Sequence, residues 1–425
     1  MSRFIINGQR KISGTFQPVG NKNAVLPMLA ASLLTEEPVV LENVPRILDV
    51  QVMLELLAEL GVEVAQTGNT VSLQASHLKK RRLSPELCRR VRTSILLAGP
   101  LAARHGSAII FPPGGDVIGR RRLDMHFYGL GQLGISVTGG QFYTFRRKQL
   151  RGADILLDEA SVTATENILM AAVLAEGHTT LFNAACEPHV QDLGRLLIRM
   201  GAHIEGLGTN LLKIEGVARL KGAHHTVGPD YIEIGSFIAA AAATRGELTI
   251  PATVDTLTLE VIARTFRKLG VAWTYEQNLI TVPAKQTMRF LKDAGSKTPK
   301  IEDGPWPIFP SDLMSVALVL ATQSRGSVLF FEKMFESRMY FVDRLIEMGA
   351  QVIQCDPHRV HVDGPARLHG ILMSSPDIRA GMALIIAALC AKGQSVIESA
   401  QVVDRGYERI DERLRALGAD ITREE

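Results

Sequence analysis

The sequence predicts a two-domain α/β protein built from six repeats, three per domain, with apolar helices inside and sheets outside. Three observations predict it. The dipeptide Leu-Gly or Met-Gly recurs at residues 60–61, 133–134, 200–201, 269–270, 348–349 and 417–418, about 70 residues apart each time. Upstream of each lies an Ala/Leu-rich segment with no polar face. After each comes a strand-like run, usually followed by a second.

Each element of the unit follows from its pattern. The apolar segments cover residues 24–34, 94–104, 166–175, 233–244, 312–322 and 379–392. Being apolar all round, they predict buried helices. β-branched strands follow most of them, as in Thr179-Thr-Leu-Phe and Ser327-Val-Leu-Phe-Phe. The segments ending in each dipeptide, such as Val52-Met-Leu-Glu-Leu-Leu-Ala-Glu-Leu, carry apolar residues at helical spacing, so these helices are half exposed. The glycine of each dipeptide stands where a helix C-cap needs it. The Gly228-Pro229 turn marks the midpoint. The repeat arithmetic assigns residues 1–20 and 230–425 to one lobe and 21–229 to the other. A cleft between lobes is a common place for a ligand.

Composition narrows the function classes. The chain has 425 residues, 46% hydrophobic and 21% charged, with net charge +3. That balance implies no strong field for nucleic acid or membrane. An aromatic content of 5% argues against a base-stacking platform. The four cysteines lack metal-ligand spacing and suit a reducing compartment. No apolar run reaches the length of a bilayer span. A cytoplasmic protein with no metal and no cofactor is expected; the sequence is silent on oligomeric state.

The stretch from Pro112 to His126 breaks the pattern most sharply. Two prolines end a strand, Gly114 and Gly115 free the backbone, and Asp116 follows them. Then come Gly119, the guanidinium groups of Arg120, Arg121 and Arg122, and Asp124. An acid on a loop tip, backed by planar phosphate-binding forks, suits chemistry on a phosphorylated substrate. A solvated loop with a basic tail is the bland alternative. Further charged residues, with one amide, stand at equivalent N-termini of the apolar helices: Lys22 and Asn23, Arg92, Asp230 and Glu233, Asp312, Asp377 and Arg379. Converging helix dipoles there would favour anions. Helix capping is an equally good reading of Asp312 taken alone. Arg338 and Arg405 follow the second strand of their units, as Asp116 does.

Lys22-Asn-Ala, Pro113-Gly-Gly-Asp-Val-Ile-Gly with Arg121, Asp124 and His126, Asn183-Ala-Ala with Glu187-Pro188, Phe309-Pro with Asp312, Asp377-Ile-Arg-Ala-Gly and Asp404-Arg-Gly-Tyr-Glu-Arg occur in that order. Together they resemble the enolpyruvyl transferases, and among these the UDP-N-acetylglucosamine 1-carboxyvinyltransferases, from first strand to last helix. The resemblance implies a pair of inside-out α/β barrels with the active site between them. It implies transfer of the enolpyruvyl group of phosphoenolpyruvate to the 3′-hydroxyl of UDP-N-acetylglucosamine, releasing phosphate, in peptidoglycan synthesis. Lys22, Arg121 and Arg405, with Asn23, would hold phosphoenolpyruvate. Asn23, Arg92, Arg121, Asp124, Ser161, Val162, Asp312 and Met334 would contact the nucleotide sugar. Asp312 would take or orient the 3′-hydroxyl proton, and Asp116 would protonate the methylene carbon. Arg338, Asp377 and Arg379 would support closure and charge balance.

The chain also departs from the family. Most members have cysteine where Asp116 stands, so the resemblance implies insensitivity to the thiol-alkylating epoxide fosfomycin. Arg122 replaces a proline, Glu159 a lysine, Thr163 a glycine, Tyr231 an arginine and His189 a glutamate. The first three surround the expected uridine site. Two other readings stay open: a diverged paralogue with another nucleotide or sugar acceptor, and a non-enzymatic anion- or nucleic-acid-binding scaffold using Arg120 to Arg122. A free aspartate, pKa about 3.9, is a poor acid at neutral pH. Asp116 is therefore expected to act only under a loop closed over bound substrates.

Overall fold

The computed structural model describes residues 2–425. Its contacts divide them into two compact units, one of residues up to Pro18, Asp116–Arg120 and Pro229–Glu425, the other of Val19–Gly115 and Arg121–Gly228. We call these unit 1 and unit 2. Among the described residues each unit holds three sheets.

In unit 1 the helices Tyr231–Ala243, Met314–Thr322 and Ile378–Cys390 pack against one another. Ile238, Leu318 and Ile385 on them are fully buried. A helix buried on every side needs no polar face, which is why these segments show no amphipathic pattern. In unit 2 the same place is taken by Lys22–Ala31, Ala98–His105 and Val162–Ala172. The second of these starts late. Pro100 has no N–H to donate to the carbonyl four residues earlier, so Arg92–Leu97 winds as a 3₁₀ helix first.

The outer helices are amphipathic. Pro188–Arg199 buries Leu193, Leu196 and Leu197 and exposes Arg195, Ile198 and Arg199. The repeated dipeptide explains itself here. Gly61, Gly134, Gly201, Gly270, Gly349 and Gly418 all have positive φ, between 81° and 104°. The chain leaves each outer helix through a left-handed turn that other residues enter only with strain.

One sheet shows the pattern of the rest. His178–Phe182 pairs parallel with Asp154–Leu156 and antiparallel with Leu211–Glu215, which pairs in turn with His203–Glu205. Leu181 sits opposite Ile155 on one side and Leu212 on the other, so one face stays apolar. Chain ends close each unit. Ala223–Thr226 returns to pair with Val39–Glu42 in unit 2. In unit 1, Arg3–Asn7 lies between Gln394–Glu398 and Asp420–Glu424.

Candidate active site

Six of the singled-out charges meet in unit 1. Asp312 lies in the 3₁₀ turn Ser311–Leu313, whose N-cap position is held by Pro310. Its Oδ1 accepts from Arg338 Nη2 at 3.1 Å, and its Oδ2 from Arg379 Nε at 3.1 Å and Nη2 at 2.9 Å. Both guanidinium groups are buried, with side chains 3% and 6% exposed, whereas Asp312 keeps 27%. Burial, the largest influence, opposes the arginine charges, but Asp312 first and then further neighbours (Asp377 and Glu332 for Arg338, Tyr407 and Asp230 for Arg379) together outweigh it and hold both above the usual arginine range. Arg338 Nε and Arg379 Nη1 are buried donors that meet no acceptor, which leaves capacity for an anionic ligand.

The contrast with Asp377 is instructive. Its carboxylate accepts from the N–H groups of Arg379 and Ala380 at 2.8 and 3.0 Å, a helix cap. Burial raises its pKa; Arg338 and the Ala380 N–H oppose that, and Asp116 adds to it. Asp230 caps the helix Tyr231–Ala243 in the same way. Capping thus accounts for Asp230 and Asp377 but not for Asp312.

Asp116 and Arg405 complete the group, with Arg405 Nη1 donating to Asp116 Oδ1 at 2.5 Å. The loop is fixed at both ends. Gly114 donates to the carbonyl of Cys88, and a Cβ there would lie 1.7 Å from the Arg89 oxygen. Beyond Asp116, the Ile118 carbonyl accepts from Ser337, and Arg120 N–H donates to Glu336 at 2.9 Å. These bonds are why Asp116–Arg120 groups with unit 1 although its sequence neighbours belong to unit 2. Met334 sits in the same turn as Glu336 and is 38% exposed.

Unit 2 carries cations. Lys22 opens the helix Lys22–Ala31, is almost buried, and places Nζ 2.7 Å from Asp49. Asn23 is the next helical residue. Arg92 donates to the carbonyl of Arg121 at 2.6 Å. Burial and the Arg121 guanidinium lower its pKa to about 10. Two guanidinium groups held this close favour an anion between them.

His126 is buried, and its pKa is lowered to about 3, by burial first and then by Arg92. Its tautomer follows from its neighbours. Asn167 Oδ1 accepts from Gly99 N–H at 2.7 Å, so the amide nitrogen faces His126 Nδ1 at 3.0 Å. Nδ1 accepts, and Nε2–H donates to Thr163 Oγ1 at 3.1 Å. Thr163, one of the departures, thus serves as the acceptor of a buried histidine. Ser161 caps the helix Val162–Ala172 through Ala164 N–H, and Val162 is its first residue. Asp124 opens the helix Asp124–Gln132 and pairs with Arg122, another departure, at 3.3 Å on the surface. Glu159 is exposed, and Tyr231 packs its ring 6.0 Å from that of Trp306.

Sequence reasoning missed Asp49, Glu166, Asp303, Glu332 and Glu336. Asp49 sits in the first turn of an outer helix, where charges read as solvated. Glu166 is buried within an inner helix, its pKa well above the usual carboxylate range through burial and Glu187. An acid inside an otherwise apolar helix was the available signal. Asp303, Glu332 and Glu336 lie at strand and turn boundaries, where polar residues are ordinary. Among the described residues, no group of three or more His, Cys, Asp or Glu could hold a metal ion, and no helix is long and apolar enough to cross a membrane.

Residues 6–414 match the family model for EPSP synthase (3-phosphoshikimate 1-carboxyvinyltransferase). A UDP-N-acetylglucosamine 1-carboxyvinyltransferase of Bradyrhizobium diazoefficiens is 53% identical over 99% of this chain and 98% of its own length. One from Treponema pallidum is 52% identical over the whole of both chains. The fold matches the enolpyruvyl transferase NikO of Streptomyces tendae with a TM-score of 0.88, at 23% identity over 99% of this chain and 98% of that one. It matches an EPSP synthase of Acinetobacter baumannii with a TM-score of 0.77, at 18% identity over the whole of both. These solved structures establish the inside-out α/β fold expected from the repeats. By its full-length relatives, this chain belongs to the UDP-N-acetylglucosamine 1-carboxyvinyltransferases of the EPSP synthase family.

Proposed function

We propose that this protein transfers the enolpyruvyl group of phosphoenolpyruvate to the 3′-hydroxyl of UDP-N-acetylglucosamine, releasing phosphate, in the cytoplasm. This is the first committed step of peptidoglycan synthesis. The observation that carries the chemistry is the grouping of two aspartates of different kinds: Asp312 between two buried guanidinium groups, and Asp116 on a glycine loop against Arg405. The acceptor is the one named in relatives 53% and 52% identical.

The reaction adds a proton to the methylene carbon of phosphoenolpyruvate and a sugar oxygen to its neighbouring carbon. Phosphate then leaves as the former methylene carbon gives a proton back, which restores the double bond in the enol ether. Asp312 orients the 3′-hydroxyl and takes its proton; its 27% exposure leaves room for that contact. Asp116 supplies the proton to carbon. Arg405 donates to Asp116, so the substrate must break that pairing before Asp116 can reach the carbon. The phosphate and carboxylate of phosphoenolpyruvate compete for Arg405, and Lys22, Asn23 and Arg121 hold the rest of the anion. Arg92, Asp124, Ser161, Val162 and Met334 contact the nucleotide sugar. Arg338, Arg379 and Asp377 keep the Asp312 carboxylate in place. General acid–base help of this kind is worth about 10²–10⁴-fold.

A phosphate-release assay with phosphoenolpyruvate tests the reading. Release with UDP-N-acetylglucosamine as acceptor is expected. Release only with another nucleotide or sugar would overturn the acceptor and keep the reaction class.

A further inference from the structure

Arg405 stands in a turn, so other elements must fix it. The turn follows the short helix Ala400–Val403, and the N–H groups of Gly406 and Tyr407 both donate to the Val403 carbonyl at 3.0 Å. A Cβ on Gly406 would lie 2.5 Å from Ile378, which opens the helix carrying Arg379. The Tyr407 hydroxyl lies 3.0 Å from Ser236 Oγ. These contacts hold the turn beyond Arg405. On its other side stands Asp404, which the reaction proposed above does not use.

Asp404 is gripped by Arg423, on the strand Asp420–Glu424. Arg423 Nη1 donates to Asp404 Oδ2 and Nη2 to Asp404 Oδ1, both at 2.7 Å. Two parallel bonds between planar groups fix orientation as well as distance. Arg423 is itself braced. Its Nε and Nη2 donate to Asp411 Oδ1 at 3.2 and 2.9 Å. Its guanidinium lies 4.8 Å over the ring of Phe4, the residue directly opposite it on the strand Arg3–Asn7. The Arg423 and Asp404 side chains are only 24% and 21% exposed. An ion pair in open solvent contributes little, but a two-armed, mostly covered one is the exception.

We infer that Arg423 is a positioning residue for Arg405: by clamping Asp404 it fixes the turn from which Arg405 reaches Asp116. Arg405 meets that carboxylate at 2.5 Å. Its planar fork binds an anion well only over a narrow range of angles, so a turn free to rotate weakens its hold on phosphoenolpyruvate. The inference rests on the enolpyruvyl reading for the anion that Arg405 takes. The competing view is that the fork merely staples the last strand to the sheet. The two differ in kinetics. Loss of a staple lowers the folded fraction, and with it the apparent kcat, and leaves each KM unchanged. Loss of positioning raises the KM for phosphoenolpyruvate and spares that for the nucleotide sugar.

The test measures both KM values by phosphate release, and phosphoenolpyruvate affinity by calorimetry, in the full chain. Arg423→Ala should raise the KM for phosphoenolpyruvate about 10-fold, within the range for residues coupled in one network, and leave the KM for UDP-N-acetylglucosamine at the wild-type value. Arg423→Lys keeps the charge but not the fork, so it should fall between wild type and Ala, and it remains informative if Ala folds poorly. The double variant Arg423→Ala/Asp404→Ala should match the worse single variant, because the two act through one contact. Arg3→Ala is the control. Arg3 pairs with Glu424 at 2.6 Å on the same two strands, so its loss loosens the strand without touching Asp404 and should leave both KM values unchanged. A phosphoenolpyruvate KM equal to wild type in Arg423→Ala and Arg423→Lys, or effects of Arg423 and Asp404 that add, would overturn the inference. If wild type binds phosphoenolpyruvate but releases no phosphate with any acceptor, the reaction reading fails, and the affinities of the same variants still decide the inference. If wild type does not bind it, both fall.

Discussion

The charged groups of the two units are organised in opposite ways. In unit 1, three aspartates and three arginines balance: Asp312 against Arg338 and Arg379, Asp116 against Arg405, Asp377 on a helix end. In unit 2, Arg92 and Arg121 crowd together, and the nearby His126 is kept neutral. A balanced group stores no net charge and can hand protons to and from a substrate. A crowded cationic group wants an anion and offers no acid. Under the proposed function, this difference assigns proton transfer to unit 1 and recognition of anionic parts of the substrates to unit 2.

The sharpest way to break this comparison is to remove the clamped carboxylate. Asp312→Ala should lower kcat by about 10²–10⁴-fold, the range for general acid–base groups, with a smaller change in nucleotide-sugar affinity. Equal losses in kcat and in affinity would place Asp312 among the binding groups. Removing a cation from unit 2 should do the reverse. Arg121→Ala should raise the KM for phosphoenolpyruvate by about 10–100-fold, since a hydrogen bond to a charged group is worth about 1.5–3 kcal/mol, with less effect on kcat. A loss confined to kcat would bring unit 2 into the chemical step.

The next test sharpens the role of the loop. Asp116→Cys places a thiol where the family resemblance expects one. The variant should keep measurable turnover and become inactivated by fosfomycin, whereas the wild type should not. Continued insensitivity of the variant would show that Asp116 does not occupy the position that attacks the epoxide.

Much of this was legible in the sequence. The six Leu-Gly and Met-Gly dipeptides located the outer helix ends because a left-handed turn selects glycine, and all six glycines have positive φ. The apolar inner helices were legible because full burial removes any polar face. The candidate charges stood out because they sit at equivalent places in a repeat. The sequence did not distinguish Asp312 from Asp230 and Asp377. All three stand near helix starts, and only the approach of Arg338 and Arg379, 26 and 67 residues away, sets Asp312 apart. Nor did it reveal that Glu332 accepts from Ser311, 21 residues earlier, because that contact forms only through the fold. Local patterns encode local structure, whereas charge pairing across repeats is a tertiary fact.

The smallest expected effect concerns Thr163, where the family resemblance expects glycine. Beside a uridine site, a hydroxyl invites a role in selecting the acceptor. The hydrogen bonds point elsewhere: Asn167 fixes the His126 ring so that Nε2–H donates to Thr163 Oγ1. Thr163→Val keeps the shape and removes the acceptor. It leaves a buried donor unpaired, which costs about 1–3 kcal/mol. The unfolding midpoint in urea should fall, while the ratio of kcat/KM between nucleotide-sugar acceptors stays fixed. A changed ratio with unchanged stability would mean that the threonine faces the substrate, and unit 2 would then select the acceptor by hydroxyl contacts as well as by charge.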